Sequence, residues 1–377
     1  MKESLFRELR LVYSTKEQSQ DGKRLTYLDM ARGIAIIMVV IGHSGFIGTS
    51  FNIWISLFHL PTFFLISGIL LGLKQEESRP FRTLALQKFR GIMIPYLWFS
   101  LGSVCIDILQ VFLGKFTWDT VWEHTFMTIT FQGYSVLWFL PVLYLAELFL
   151  ILLLKAVRSF SIGPLYRCII TIIITTFFAL GAYYGYQFLL ANPSVANWLP
   201  YLRIPAKALM GAAFMSYGYG LSYLLSCPKA QHNKWLIGVA GALLASVNFI
   251  VLAKVGLMDL NNLNLYNPVT YLLLGTTGGM GCILLCKSLP NIPPITFWGQ
   301  NSLIIMCTHM NFYVMYFSML FNLFLVPRLP GGNDTMYAVF SIAGTFVLSI
   351  AVIVFIRAYL PFVLGRKTSF KTTKADR

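Results

Sequence analysis

Charged residues are scarce in this chain. They make up only 11% of its 377 residues, whereas a soluble globular domain carries about 25%. Acidic residues are the rarer sign, with 14 Asp and Glu against 29 Lys and Arg. So few charges cannot cover a water-facing surface, and the composition therefore excludes an ordinary soluble protein.

Metal-binding and redox motifs are also missing. The sequence contains no CxxC, HxxxH or HExxH spacing, and most of its six cysteines lie inside apolar runs. We interpret these cysteines as small buried hydrophobic residues. We therefore expect no metal ion in this protein.

Long apolar runs are abundant, since 57% of the residues are hydrophobic. Runs of about 20 apolar residues are what a helix needs to cross a bilayer. The sequence predicts an all-α, polytopic bundle of about ten transmembrane helices, of which the ninth is long enough to be tilted or broken. The predicted spans are 31–49, 53–73, 91–113, 136–155, 168–190, 204–226, 235–253, 267–287, 297–325 and 336–358.

Basic residues are concentrated in alternate loops and at both ends, and the net charge is +15. This pattern is typical of cytoplasmic loops that face anionic membrane lipid, so we expect no nucleic-acid partner. Both termini are predicted to be cytoplasmic. We expect a cytoplasmic segment at 1–28, a transmembrane domain at 29–360 and a basic tail at 361–377. The opposite loops hold only Lys115, Arg203, Lys207, Lys254 and Arg328.

Ionisable residues inside the first span are candidates for function, because such groups are costly in a bilayer. Asp29 and Arg32 are three residues apart, so they can pair on one helical face at the inner mouth. His43 follows Arg32 on nearly the same face, about 16 Å further along the axis. We expect a fixed cation at the entrance and a titratable base well inside the membrane.

Further polar residues are predicted at broadly similar depth on other spans. His59 lies in the second span, Glu147 in the fourth and His309 in the ninth. A catalytic or proton-relay chamber requires its polar groups to lie at a shared depth. Imidazole suits such a chamber because it titrates near neutrality and can act as an acid or a base. By contrast, His124 and His232 are predicted to be solvated surface residues.

At these residues the chain resembles the acyltransferase-3 family of bacterial membrane acyltransferases, and within it the stand-alone sugar O-acetylase branch. Six segments carry the resemblance, in the family's order. They are Leu28-Asp29-Met30-Ala31-Arg32-Gly33, the spacing from Arg32 to His43, Phe58-His59 through Ser67-Gly68, Lys88-Phe89-Arg90 with Pro95-Tyr96, Trp138-Phe139-Leu140-Pro141, and Gly299 through Ser302 with His309.

The resemblance implies transfer of an acyl group, usually acetyl, from cytoplasmic acetyl-CoA to a hydroxyl of an extracytoplasmic glycan or lipid-linked sugar. It also implies a bacterial inner (cytoplasmic) membrane. The family's first-span Arg and His correspond to Arg32 and His43. Its basic cluster is often Arg-x-x-Arg, whereas this chain has Gln87 first and keeps positive charge at Lys88 and Arg90.

These correspondences lead to the following expectations. The phosphates of acetyl-CoA are bound by Arg32, Lys88 and Arg90, His43 acts as general base, and Asp29 orients Arg32. A covalent acetyl-histidine relay is the alternative route. The candidate residues for binding the substrate or oxyanion are His59, Ser67, Trp138, Glu147, Asn301, Ser302 and His309.

Two other function classes fit buried polar residues. A proton-coupled transporter or flippase uses them in its pathway, although the chain shows no internal repeat and no matched pair of broken helices. A scaffold without chemistry is the third reading, and the number of buried polar residues at one depth argues against it.

Overall fold

A computed structural model describes residues 25–45, 48–160, 162–192, 198–226, 233–329 and 332–365. Most of the expected N-terminal segment, most of the expected tail, and His232 lie outside these residues. Almost all of the described chain is helical, so the all-α expectation is confirmed.

The α-helices follow one another along the chain. They are α1 (Thr26–His43), α2 (Thr49–Leu73), α3 (Phe81–Lys88), α4 (Ile94–Phe112), α5 (Trp118–Ile129), α6 (Phe139–Arg158), α7 (Pro164–Leu190), α8 (Leu199–Ser226), α9 (Lys234–Ile250), α10 (Pro268–Ser288), α11 (Pro293–Gln300), α12 (Ser302–Thr308), α13 (Val314–Leu325) and α14 (Asp334–Tyr359).

Shorter elements connect them. A π-helical turn, Phe89–Met93, joins α3 to α4, and a 3-10 turn, Ser135–Trp138, leads into α6. The described residues contain one two-stranded antiparallel hairpin, in which β1 (Met258–Asp259) pairs with β2 (Asn264–Leu265).

Eight helical segments of the described chain are long and apolar enough to cross a membrane, so a polytopic membrane protein is confirmed. Two of the ten predicted spans are not among the eight. One is α8, which has 28 residues and carries Arg203 and Lys207. The other is the ninth span, which is broken into α11, α12 and α13.

The ninth span breaks where polar side chains compete for backbone groups. Asn301 separates α11 from α12, and its Nδ2 donates to the Phe297 carbonyl at 2.8 Å. The second break precedes Tyr313, whose φ of 57° lies in the left-handed region. Between the breaks, α12 ends at Thr308 and is followed directly by His309.

Two glycines bring α1 and α11 into backbone contact. A Cβ added at Gly33 would lie 2.0 Å from the Ile295 carbonyl oxygen, and one at Gly299 would lie 1.7 Å from that of Asp29. Only glycine allows such an approach. The contact places Arg32 beside the junction of α11 and α12.

The position of His43 differs from the expectation. The first span was predicted at 31–49, but α1 covers Thr26–His43, and Gly45 follows with a left-handed φ of 73°. His43 is therefore the last residue of its helix rather than an interior one. We call the end of the bundle with Arg32 and Lys88 the inner end, following the predicted orientation, and the opposite end the outer end.

Candidate active site

An inner cavity of about 410 Å³ lies among α1, α2, the π-helical turn, α6 and the α11–α12 junction. Arg32 lines it, and its Nη1 lies 3.7 Å from the Asp29 carboxylate. The expected Asp29–Arg32 pair is therefore present. Asp29 is buried whereas Arg32 is partly exposed, so the carboxylate holds a guanidinium that still faces the cavity.

Lys88 also lines the inner cavity, but two carboxylates hold its ammonium. Its Nζ lies 2.8 Å from Glu76 and 3.4 Å from Glu147. Both acids are buried, and the cluster of one Lys and two Glu has one negative charge more than it has positive charges. Of the two cations that line this cavity, Lys88 is therefore the more fully neutralised, and Arg32 has a single carboxylate partner among the ion pairs described here.

Arg90 is exposed and lines an adjoining recess of about 570 Å³. Gln87 and Gly91 line both the recess and the inner cavity, so the two spaces are neighbours. The three cations predicted to bind the donor therefore all lie at the inner end. Arg32 and Lys88 line the inner cavity, and Arg90 lines the adjoining recess.

An outer cavity of about 390 Å³ begins on the other side of Phe139 and Met306, which line both cavities. His43, His59 and Trp138 line it from the helices. Residues 257–261, which include strand β1, form another wall.

The three predicted histidines have the same hydrogen-bonding pattern. The Nδ1 atoms of His43, His59 and His309 lie 2.8, 2.7 and 2.9 Å from the carbonyl oxygen four residues earlier in the chain. A carbonyl oxygen can only accept, so each Nδ1 carries a proton. In the neutral ring, Nε2 is then the basic nitrogen.

His43 and His309 are in direct ring contact. Their centroids are 5.2 Å apart in an edge-to-face arrangement. His309 is fully buried, and its Nε2 has no hydrogen-bond partner among the described residues, whereas His43 is exposed and lines the outer cavity. His43 and His309 therefore lie side by side in the bundle, and the ring of His43 is the more accessible of the two.

The remaining predicted site residues divide between the cavities. Ser67, Glu147 and Ser302 line the inner cavity, and His59 and Trp138 line the outer one. Asn301 is buried within the helix break, with Oδ1 lacking a hydrogen-bond partner in the described chain. It is not one of the residues that line either cavity.

The position of Lys207 differs from the expectation. It was counted with the outer loops, but it lies within α8 and is 3% exposed. Its Nζ lies 4.3 Å from the centroid of the Trp138 ring and 3.1 Å from Asn261 Oδ1. Lys207 thus ties α8 to two walls of the outer cavity. The sequence feature that could have indicated this buried position is a lone lysine in the apolar stretch after Pro205.

His124 was predicted to be solvated, and that prediction is wrong. Helix α5 packs against α4, His124 is buried, and its Nδ1 lies 2.9 Å from the Asp107 carboxylate. Its ring stacks on Tyr134 with centroids 3.5 Å apart. Burial and the negative charge of Asp107 raise the pKa of Tyr134. This cluster supports the segment that leads to Ser135 and Trp138 in the outer cavity.

Metal ligands do not converge at this site. Within the described ranges, no three His, Cys, Asp or Glu side chains are grouped as an ion would require. The chemistry available from the described residues is that of basic imidazole nitrogens, an exposed guanidinium and hydroxyl groups.

Comparison with known proteins identifies the family of this chain. The model of the acyltransferase-3 family, described as an acyltransferase domain, matches residues 25–354. No curated protein matches the chain. The matched region contains both cavities and the histidines His43, His59 and His309. The chain therefore belongs to the acyltransferase-3 family and is a multi-pass membrane acyltransferase.

Proposed function

We propose that this acyltransferase moves an acetyl group from cytoplasmic acetyl-CoA to a hydroxyl of an extracytoplasmic or lipid-linked cell-envelope sugar. The membrane would be the bacterial inner (cytoplasmic) membrane. The observation that carries the proposal is the pair of cavities that share Phe139 and Met306. One cavity faces each end of the bundle, as a transfer between two compartments requires.

The inner cavity and its recess suit the donor. The phosphates of CoA would contact Arg90 in the recess and Arg32 at the cavity mouth, since guanidinium groups bind phosphate through paired hydrogen bonds. Lys88 would lie beside the donor, and its ion pairs with Glu76 and Glu147 would hold the cavity wall in place. The thioester would then lie towards Phe139 and Met306.

The outer cavity suits the acceptor. Trp138 offers an aromatic face and His59 a polar group, both near His43. The proton of the acceptor hydroxyl passes to His43 Nε2 while the hydroxyl oxygen attacks the thioester carbonyl carbon. The C–S bond breaks, the CoA thiolate takes the proton from His43, and the products are an acetyl ester and free CoA. His309 would support the reacting ring of His43 by edge-to-face contact.

The donor assignment is tested by calorimetry on protein in nanodiscs, comparing acetyl-CoA binding to wild type and Arg32→Gln. Losing a charge-assisted hydrogen bond worth about 1.5–3 kcal/mol weakens binding by roughly ten- to a hundredfold. Arg82→Gln is the control, because Arg82 is exposed on α3 and lines neither the inner cavity nor the recess.

Equal affinities for wild type and Arg32→Gln would contradict the placement of the donor phosphates. To identify the acceptor, lipid-linked sugars and polysaccharides from cells expressing the wild type are compared by mass spectrometry with those from cells lacking the protein. An unchanged set of acetylated sugars would contradict the proposed acceptor class.

A further inference from the structure

A third cavity of about 390 Å³ lies at the inner end, among α2, α6, α7 and α8. It shares no lining residue with the inner cavity or the recess. Its polar lining includes Glu77, Ser78, Arg158, Arg167, Tyr219 and Tyr223.

Charges of both signs line this cavity without pairing with each other. Arg158 and Arg167 supply guanidinium groups and Glu77 a carboxylate, and no ion pair within 4.0 Å joins Glu77 to either arginine. Arg167 Nε and Glu77 Oε2 are both buried and lack hydrogen-bond partners in the described residues. Buried polar atoms in folded proteins are nearly always satisfied. An occupant that carries both a negative and a positive charge would complement the two arginines and the carboxylate.

Among the described residues, no cation contacts the carboxylate of Glu77. Its Oε1 atom accepts from the Tyr219 hydroxyl at 3.3 Å, and Tyr219 and Tyr223 exchange a hydrogen bond of 2.9 Å. Lys155, a nearby cation, donates to the backbone oxygen of Glu77 at 3.0 Å rather than to its carboxylate.

The location of the cavity favours a lipid. Helices α2, α6 and α8 end beside it and α7 begins there, so it lies at the level where long apolar segments meet the headgroup region. Leu165 is 69% exposed and Leu224 is 66% exposed on helices that line the cavity, so both are available to contact acyl chains. Basic pockets between transmembrane helices on this side bind lipid headgroups.

We propose that this cavity binds the zwitterionic headgroup of an amine-bearing phospholipid, with its phosphate on Arg158 and Arg167 and its primary ammonium on Glu77. A phosphate without an amine leaves Glu77 unpaired. A quaternary ammonium has no N–H to donate. A lipid that carries both a phosphate and a primary amine complements the charges of the two arginines and of Glu77.

The test uses full-length, delipidated protein in detergent. Native mass spectrometry measures binding of phosphatidylethanolamine, phosphatidylglycerol and phosphatidylcholine of matched chains. Wild type is expected to prefer phosphatidylethanolamine. Arg167→Gln and Arg158→Gln each reduce its binding by roughly tenfold or more, because each removes a charged donor to phosphate. Glu77→Gln abolishes the preference for the primary amine but keeps binding to phosphate.

Arg82→Gln, exposed at the same end but outside the cavity, is the matched control and should behave as wild type. Arg158 is exposed, so its replacement tests the site even if Arg167→Gln fails to fold. Equal binding of the three lipids to wild type, or a preference that survives Glu77→Gln, would overturn the proposal. Competition experiments with soluble phosphoethanolamine and with inorganic phosphate distinguish headgroup recognition from simple anion binding. If inorganic phosphate alone displaces the bound lipid, the proposal is also overturned.

Discussion

The inner and outer cavities share a wall at Phe139 and Met306, yet their polar groups differ in kind. The inner cavity has full charges, with Arg32 held by Asp29 and Lys88 held by Glu76 and Glu147. The outer cavity has imidazoles whose Nδ1 atoms are fixed by backbone carbonyls. A partly exposed guanidinium suits an anionic donor, whereas a basic nitrogen suits activation of a hydroxyl.

Replacing His43 by Asn should have the largest effect, because it changes the proposed base in the outer cavity and leaves the donor-binding residues of the inner cavity intact. The Asn amide keeps an N–H near the Val39 carbonyl but removes the Nε2 base. We expect the acetyl-transfer rate to fall by about 10²–10⁴, because general-base assistance contributes that much. Calorimetric binding of acetyl-CoA should stay at the wild-type value. Transfer within a few-fold of wild type would remove His43 from the mechanism.

Replacing Lys88 by Met tests whether the inner charges serve stability as well as binding. The change leaves Glu76 and Glu147 buried without their cation. Breaking a buried ion pair from one side costs about 3–5 kcal/mol, so the thermal unfolding temperature in nanodiscs should drop clearly. Arg90→Gln is the matched comparison, since Arg90 is exposed and should affect donor binding alone. Equal unfolding temperatures for both variants would contradict this division.

Replacing Met306 by Ala weakens the wall between the cavities and should produce the smallest effect. Removing its side chain makes room for a longer acyl group, and one methylene in an apolar pocket is worth about 10–200-fold in discrimination. We expect the rate ratio of butyryl-CoA to acetyl-CoA to rise by about tenfold. Leu143→Ala is the control, because Leu143 lines only the inner cavity. An identical ratio in both variants would show that Met306 does not limit acyl length.

Much of the site could be predicted because local spacing encodes it. The pair Asp29–Arg32 follows from a three-residue step on a helix, and the depth shared by His43 and His309 follows from counting along opposite spans. Lys207 and His124 could not be placed in this way. Lys207 contacts residues distant in the chain and His124 is buried against the preceding helix α4, and the sequence does not state which face of α8 or α5 is covered.

The pairing of Lys88 shows a second limit. Glu76 lies in a short connecting turn and Glu147 in the interior of α6, so no periodicity joins them to Lys88. A cluster of basic residues predicts positive charge, but only packing decides how much of that charge is neutralised. The inner cavity consequently depends on Arg32 more than the sequence suggested.

The sequence by itself determined the all-α membrane architecture, the approximate spans and the residues of the first helix that face the site. Hydropathy and helical spacing are properties of neighbouring residues, and the bilayer imposes them on each span separately. Only the tertiary structure decided that two cavities meet at Phe139 and Met306 and that Glu77 and Arg167 line one space. These features arise where helices far apart in the chain come together, and their geometry depends on close packing between them.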